Sequence, residues 1–246
     1  MLEGKRIVVT GASRGIGRAI AMACVEAGAR VGINVRGGGR VDEALDHAIT
    51  LRQAIVLPFD VRDGEAVRRG IDAFAEECGG IDGLVNNAGV NVPKLLVDIT
   101  DEDIASVFAT NIGGTIACTR LVLPHMLRAR EGVIVNVSSL AATRPARGMS
   151  IYAASKGAIE SFTRAVAVEY GRKGIRCHCV RPGAIDTEML AHSRALAEQE
   201  MLERIPMRRI GNAEEVARVV VFLLSDASSY MTGGVHPIDG GLGAGW

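Results

Sequence analysis

The sequence has no surplus of charge, no long apolar run and no paired set of cysteines, and each absence removes a class of function. Lys plus Arg and Asp plus Glu number 28 each, so the formal net charge is +0. Such a chain has no electrostatic footprint for nucleic acid or an anionic membrane, and small molecules or proteins are the expected partners. No stretch approaches the roughly 18 apolar residues that span a bilayer. Lys5-Arg6-Ile7-Val8-Val9-Thr10 reads as structure at once and leaves no room for a signal peptide, so a soluble cytoplasmic protein is expected. The five cysteines, Cys24, Cys78, Cys118, Cys177 and Cys179, are odd in number and lie in apolar segments, which suits buried thiols rather than disulfides. Cys177-His178-Cys179 has no second cluster to complete a metal shell, and core packing of a strand is the preferred reading; no metal is expected. Internal repeats, low-complexity tracts and interdomain linkers are also missing. With 48% hydrophobic content, residues 1–246 are expected to form one domain.

What is present is an alternation. Short β-branched runs at Arg6–Thr10, Arg30–Val35, Ala54–Phe59, Gly83–Asn86, Gly132–Val137, Ile175–Val180 and Val235–Ile238 predict seven strands. Helical periods separate them at Gly15–Ala27, Asp42–Leu51, Gly64–Cys78, Asp101–Arg130, Tyr152–Lys173 and Ala213–Leu224. Strand followed by helix implies right-handed crossovers and a doubly wound α/β fold, a parallel sheet with helices on both faces and ligands beyond the carboxyl ends of the strands. Gly37-Gly38-Gly39 reads as a loop. Thr187–Ile210 breaks the alternation and is read as a helical substrate lid, or as surface helices covering the sheet.

Thr10-Gly11-Ala12-Ser13-Arg14-Gly15-Ile16-Gly17 ends the first strand and opens the first helix. Glycines there permit a tight turn and close approach of a pyrophosphate, and the helix amino end offers free N–H groups, although a turn that binds nothing would look similar. A carboxylate at the end of the second strand would accept from a ribose 2′-OH. This chain has Asn34-Val35-Arg36 there and no acid. Arg36 and Arg14 are candidates to clamp a 2′-phosphate, which favours NADP(H) over NAD(H), unless both are solvated surface charges. Asp60-Val61 and Asn86-Asn87-Ala88-Gly89 follow the third and fourth strands. Asp60 suits an adenine amino group and the small Ala88-Gly89 a closely approaching ring, while turn chemistry accounts for these residues equally well.

Tyr152 and Lys156 stand four positions apart, one turn of helix, so that both head groups can enter one cleft. A cation beside a phenol favours the phenolate and makes the pair a candidate general acid/base; a lysine stem packed on a ring is the plainer alternative. Ser139 leaves the fifth strand and Asn111 lies in a helical segment, where each has an ordinary structural use as well.

Together these residues resemble the short-chain dehydrogenase/reductase family, from Thr10 to Gly241. The match rests on the glycine loop of Thr10 to Gly17, Asn86 to Gly89, Asn111, Ser139, Tyr152 with Lys156, and Pro182-Gly183 followed by Thr187. The resemblance implies that Tyr152 donates a proton to a carbonyl oxygen, that Lys156 lowers its pKa and holds the nicotinamide ribose, that Ser139 bonds the substrate oxygen, and that Asn111 holds a relay water. Ile185 and Thr187 would meet the carboxamide side of the nicotinamide. Cofactor contacts would come from Gly11, Ser13, Arg14, Gly15, Ile16, Gly17, Arg36, Asp60, Val61, Asn87, Ala88, Gly89, Tyr152, Lys156, Pro182, Gly183, Ile185 and Thr187.

Within the family the chain looks most like the 3-oxoacyl-(acyl-carrier-protein) reductase branch, through the glycine loop, Tyr152 to Lys156 and Asp239-Gly240-Gly241. Arg130 and Lys173, with Arg172 adjoining, match that branch's carrier-docking positions or serve as helix-end charges. It departs from the branch at Val90 to Lys94 and at Arg181, where a small or apolar residue is more usual. Arg144 and Arg147 suggest an anionic substrate or salt bridges. The leading expectation is NADP(H)-dependent reduction of a 3-oxoacyl thioester. A sugar, polyol or secondary-alcohol dehydrogenase is the alternative, and a non-catalytic nucleotide sensor is the reading from a different class. The resemblance also implies a homotetramer built on Asp101–Arg130 and Tyr152–Lys173, with Phe108, Ile116, Phe162 and Val166 on their apolar faces and Trp246 anchored near a neighbouring subunit.

Overall fold

Strands buried on both faces need apolar side chains pointing both ways, which is why their sequences read as unbroken Val and Ile runs. The computed structural model describes residues 1–37 and 41–244, apart from the side chains of 191–197; Gly38, Gly39 and Trp246 lie outside the described residues. The seven strands are β1 (Arg6–Val9), β2 (Arg30–Val35), β3 (Ala54–Pro58), β4 (Gly83–Asn86), β5 (Gly132–Val137), β6 (Ile175–Pro182) and β7 (Val235–Ile238). They form one sheet in the order β3-β2-β1-β4-β5-β6-β7, parallel throughout. The chain winds outward from β1 to β3, crosses back to β4 and winds outward again. That reversal opens a crevice between β1 and β4 at their carboxyl ends, where a doubly wound sheet binds its ligand.

Helices cover both faces: α1 (Gly15–Glu26), α2 (Glu43–Thr50), α3 (Gly64–Cys78), α4 (Asp101–Phe108), α5 (Thr115–Ala129), α6 (Ser150–Tyr170), α7 (Glu188–Arg204) and α8 (Ala213–Leu224). One apolar layer joins the sheet to α1, α2 and α8 through Ile20, Leu45, Val216 and Val220. The other joins it to α3, α5 and α6 through Val67, Phe74, Val122, Met126 and Val166. Their amino ends are set by side chains that satisfy free backbone N–H groups. Asp63 accepts from Glu65 and Ala66, and Thr100 with Asp103 and Asn212 with Glu215 form reciprocal caps.

Boundaries differ from the sequence reading where tertiary contacts intervene. The expected continuous helix Asp101–Arg130 is divided by a π-helical turn at Ala109–Gly114, because Asn111 is drawn out of register to bond Val90 and Ser155. The stretch Asp101–Ala129 is long and apolar enough in composition to cross a bilayer, contrary to expectation, but 56% of its most apolar window is buried in the molecule. The last turn of the expected Tyr152–Lys173 helix tightens to a 3₁₀ turn at Gly171–Lys173. β6 runs two residues past its predicted end, to Pro182. Within Thr187–Ile210 there is one helix, α7, and the chain returns to pair Gly211 with Ile185.

Candidate active site

The glycine loop is held by its neighbours' polar groups. Asn87 Nδ2 donates to the carbonyls of Thr10 and Gly11, both at 3.0 Å, and Thr10 Oγ1 accepts from the N–H groups of Asn87 and Ala88. Gly17 is fixed by closeness: a Cβ there would lie 2.3 Å from both Asn87 Nδ2 and the Gly11 carbonyl oxygen. Arg14 precedes α1 without capping it, so the first-turn N–H groups of Gly15, Ile16 and Gly17 keep no side-chain partner from the cap position. Ile16 packs on the core beneath, and the Thr187 methyl stands 3.5 Å from where a Gly15 Cβ would be. A tight loop, open helix-end donors and a wall at Thr187 fit a dinucleotide pyrophosphate.

Asn34, which sequence reading valued only for not being an acid, is a structural brace of this loop. Its buried amide accepts from Gly11 N at 3.1 Å and donates to the carbonyls of Leu57 and Phe59. Arg36 is exposed just beyond it. Asp60 is half-buried and both of its oxygens are taken by Arg62, at 2.6 to 3.1 Å. Arg62, through its side-chain bond, and nearby Arg36 hold the carboxyl below the usual carboxylate range. Arg14 reaches across to Glu188 at 2.5 Å, tying the glycine loop to the start of α7. Val61 is buried and packs against the π-helical turn, where a Cβ on Gly114 would come within 2.6 Å of it.

At the carboxyl edge of β5, α6 places Lys156 in the interior, 5% exposed, with Nζ donating to the Val137 carbonyl at 2.8 Å. The ammonium lies 5.6 Å from the centre of the half-buried Tyr152 ring, so the one-turn spacing does bring the two into a single cleft. Gly89 makes this possible from the other side: a Cβ there would sit 3.3 Å from Asn111 Oδ1 and 3.4 Å from Lys156 Nζ. Asn111 is more committed than expected. Its Nδ2 donates to the Val90 carbonyl and Ser155 Oγ, both at 3.0 Å, and its Oδ1 accepts from Val90 N at 2.8 Å. With the amide donors spent, only a free lone pair of Oδ1 or the main chain is left to hold a water. Ser139 lies two residues beyond the end of β5 and accepts from Ala141 N at 3.2 Å. Pro182 is buried, and Gly183 runs so close to Asp239 that a Cβ would lie 2.6 Å from it; Gly183 N donates to the Ile238 carbonyl. Ile185, buried, and Thr187 complete the far wall.

Other singled-out residues lie elsewhere or have partners. Asn86 points away from the crevice to Thr119 and Asn136. Lys94 is bonded to Asp103 at 2.6 Å and Arg144 to the Leu242 carbonyl at 2.6 Å. Arg130, Arg172 and Lys173 flank the starts of β5 and β6, at the opposite edge of the sheet; Tyr152 and Tyr170 are about 27 Å apart along α6. Cys177 and Cys179 are buried strand residues, with burial pushing the Cys179 thiol up to about 12. Among the described residues no three His, Cys, Asp or Glu side chains gather as a metal site. Of the expected interface faces, Phe108 and Ile116 are partly exposed, but Val166 is buried and Phe162 packs on the core.

Residues 11–243 match a family described as enoyl-(acyl carrier protein) reductase. The chain is 39% identical over 245 residues to the 3-oxoacyl-[acyl-carrier-protein] reductase of Chlamydia trachomatis, and the match spans 98% of both. It is 39% identical to the enzyme of that name from Thermotoga maritima over 246 residues, again 98% of both chains. Among solved structures, a gluconate 5-dehydrogenase from Burkholderia cenocepacia, in complex with NADP and tartrate, superposes with a TM-score of 0.92 at 31% identity, covering 100% of this chain and 97% of that one.

Proposed function

Because the chain belongs to the short-chain dehydrogenase/reductase family, oxidoreductases that interconvert CH–OH and carbonyl groups with a nicotinamide cofactor, we propose that it reduces a 3-oxoacyl thioester with NADPH. One observation carries the reaction: a buried lysine ammonium lies against the Tyr152 ring, across Gly89 from an open, glycine-lined helix end. The substrate class is supported by near-complete overlap with two 3-oxoacyl reductases.

In this reading a bound dihydronicotinamide supplies the hydride for the carbonyl carbon. Gly11, Ser13, Gly15, Ile16 and Gly17 line the pyrophosphate crevice, Ala88 and Gly89 let a flat group approach, and Pro182, Gly183, Ile185 and Thr187 fix which ring face is presented. Ser139 and Tyr152 hold the substrate oxygen. Tyr152 gives it a proton as the alkoxide forms, and Lys156 steadies the phenolate left behind. Asn111 keeps Val90 and the first turns of α6 in place around that transfer. At the nucleotide end, Arg36 is exposed and Asp60 is neutralised by Arg62, while Arg14 is paired only with the equally exposed Glu188, from which a 2′-phosphate can draw it; NADP(H) is the preferred cofactor. The chain works as one domain with α7 as its substrate lid, in the cytoplasm. The partly exposed Phe108 and Ile116 and the exposed Val168 support assembly as a homotetramer.

The gluconate 5-dehydrogenase likeness favours a second reading, oxidation of a sugar acid or polyol. Initial rates with an acetoacetyl thioester and with gluconate and a polyol panel, each with NADP(H) and NAD(H), separate the two. Thioester turnover with NADPH is expected to dominate. Turnover of a polyol or sugar acid alone, or a higher kcat/KM with NADH, overturns the proposal.

A further inference from the structure

Arg181 departs from the branch it otherwise resembles, and the structure shows what it does. Its guanidinium grips Glu160 with both arms of a fork, Nε to Oε1 at 2.7 Å and Nη2 to Oε2 at 2.6 Å. Glu160 is 5% exposed and sits one helical turn beyond Lys156 on α6, on the same face. Lysine and glutamate at that spacing ordinarily pair with each other. Here they do not: the Lys156 ammonium goes to the Val137 carbonyl and the carboxylate to Arg181. Ser138 lies between the two, its Oγ 3.0 Å from Glu160 Oε1 and 3.1 Å from the Lys156 carbonyl oxygen, with a proton for one of them at a time.

A carboxylate fixed one turn from Lys156 would, if unpaired, draw the ammonium toward itself and oppose formation of a phenolate at Tyr152. An arginine alone in that place would do the reverse. We infer that Glu160 and Arg181 form a charge-neutral strut that ties α6 to the end of β6 and leaves the charge of Lys156 to Tyr152. Arg181 is thus a positioning residue of the reaction, an assignment that rests on the proton-transfer role given above to Tyr152 and Lys156. Pairing across to β6 also fixes the strand end that continues into Pro182-Gly183, so the acid/base helix and the wall of the cofactor crevice are held by one bond.

Among the described residues the charged surroundings are few. On α6 there is Tyr152; β6 contributes Cys179 and Arg181; Asp239 beyond β7 acts on Arg181. Asp239 is held by the N–H groups of Gly241 and Gly243, and α4 keeps Asp103 on Lys94. From β5 and the π-helical turn come the neutral Ser138 and Asn111. The 3₁₀ turns flanking α6 bring Arg172 and Lys173 at its far end and Arg144, bonded to the Leu242 carbonyl.

The test is a charge cycle on the full chain, read in two ways between pH 7.5 and 10.5. The first readout is the pH profile of kcat/KM for alcohol oxidation. The second, independent of turnover, is the ultraviolet difference spectrum of phenolate formation, with Tyr152→Phe subtracted to remove Tyr170 and Tyr230. Arg181→Met should move both midpoints up by about one pH unit, Glu160→Gln should move both down by a similar amount, and Glu160→Gln with Arg181→Met should return them near the parent. A purely structural pair would lower stability in all three variants without opposed shifts. Single variants that leave the midpoints in place, or move them the same way, overturn the inference. If Arg181→Met does not fold, Glu160→Gln alone decides, since it keeps the shape of the side chain: a downward shift supports the strut, and no shift or an upward one refutes it. Absence of all turnover in the parent would fail the activity proposal, while the phenolate spectrum would still decide this one.

Discussion

Replacing Gly17 by alanine sets two physical effects against each other, and the structure decides which wins. In the first turn of α1, alanine gains up to about 1 kcal/mol over glycine from helix propensity. Its Cβ, however, would stand 2.3 Å from Asn87 Nδ2 and from the Gly11 carbonyl oxygen, where ordinary contacts begin at 3.4 Å. Each must retreat by about 1 Å, and a hydrogen bond stretched that far is lost. Asn87 then gives up its bonds to Thr10 and Gly11, about 1 kcal/mol each, and stability falls by about 1 kcal/mol net, or some 2–4 °C in Tm. Cofactor binding suffers more, because the same movement misaims the helix-end N–H groups. Losing two charge-assisted bonds of about 1.5 kcal/mol each predicts a Kd for NADPH raised roughly 100-fold. Fluorescence titration with NADPH and a thermal melt on the same samples measure both quantities. Adding Asn87→Ala should not rescue binding, since the Gly11 carbonyl is backbone and still in the way. A Tm above the parent with Kd within threefold would show that the crevice is not the tightly packed loop described.

Tyr152→Phe keeps the ring against Lys156 but removes the proton, so kcat should fall at least 1000-fold while the NADPH Kd changes less than threefold; a kcat within a few-fold of the parent would refute the role given to the phenol. His178 is fully buried between Arg176 and His236, and burial, reinforced by the Arg176 guanidinium and the neighbouring His236 ring, lowers its pKa to about 4. Between about 6.5 and 4 the unfolded chain therefore binds a proton that the folded one does not, so stability falls as pH falls through that window, by up to about 3 kcal/mol. Urea midpoints from pH 7.5 to 4.5 should show this slope in the parent and a shallower one in His178→Gln; identical slopes would refute it.

The fold and the reaction were legible where their determinants are local. A one-turn spacing is enough to place Tyr152 and Lys156 on one face, and a strand-to-helix junction is enough to locate the glycine loop. Alternating strand and helix is enough to give a parallel sheet. What escaped is carried by partners distant in sequence. Asn34 braces Gly11 from 23 residues away, and Arg181 reaches Glu160 from 21 away, across a helix-to-strand interface. The acceptor that anchors Lys156 is a main-chain carbonyl, which every residue possesses and no sequence pattern marks. The sequence places Asn111 in a regular helix, and the π-helical turn that aims it depends on Val90 and Ser155, neither of which lies within one turn of it.

One departure did carry usable information. A guanidinium in place of a small or apolar side chain before Pro182 cannot enter a protein interior uncompensated, because an unpaired buried charge costs several kcal/mol. The presence of Arg181 therefore demanded an acid within reach, and that acid had to lie on whatever packs against the end of β6. In a doubly wound sheet the helix that enters a strand from the preceding crossover packs against it, which selects α6. On α6 the acids are Glu160 and Glu169, and only Glu160 lies near the amino-terminal half that meets the strand's carboxyl end, since helix and strand run antiparallel. The partner could thus have been named from the sequence. Its consequence could not, because the neutrality of the pair matters only once Lys156 is seen to turn away from Glu160 toward Val137.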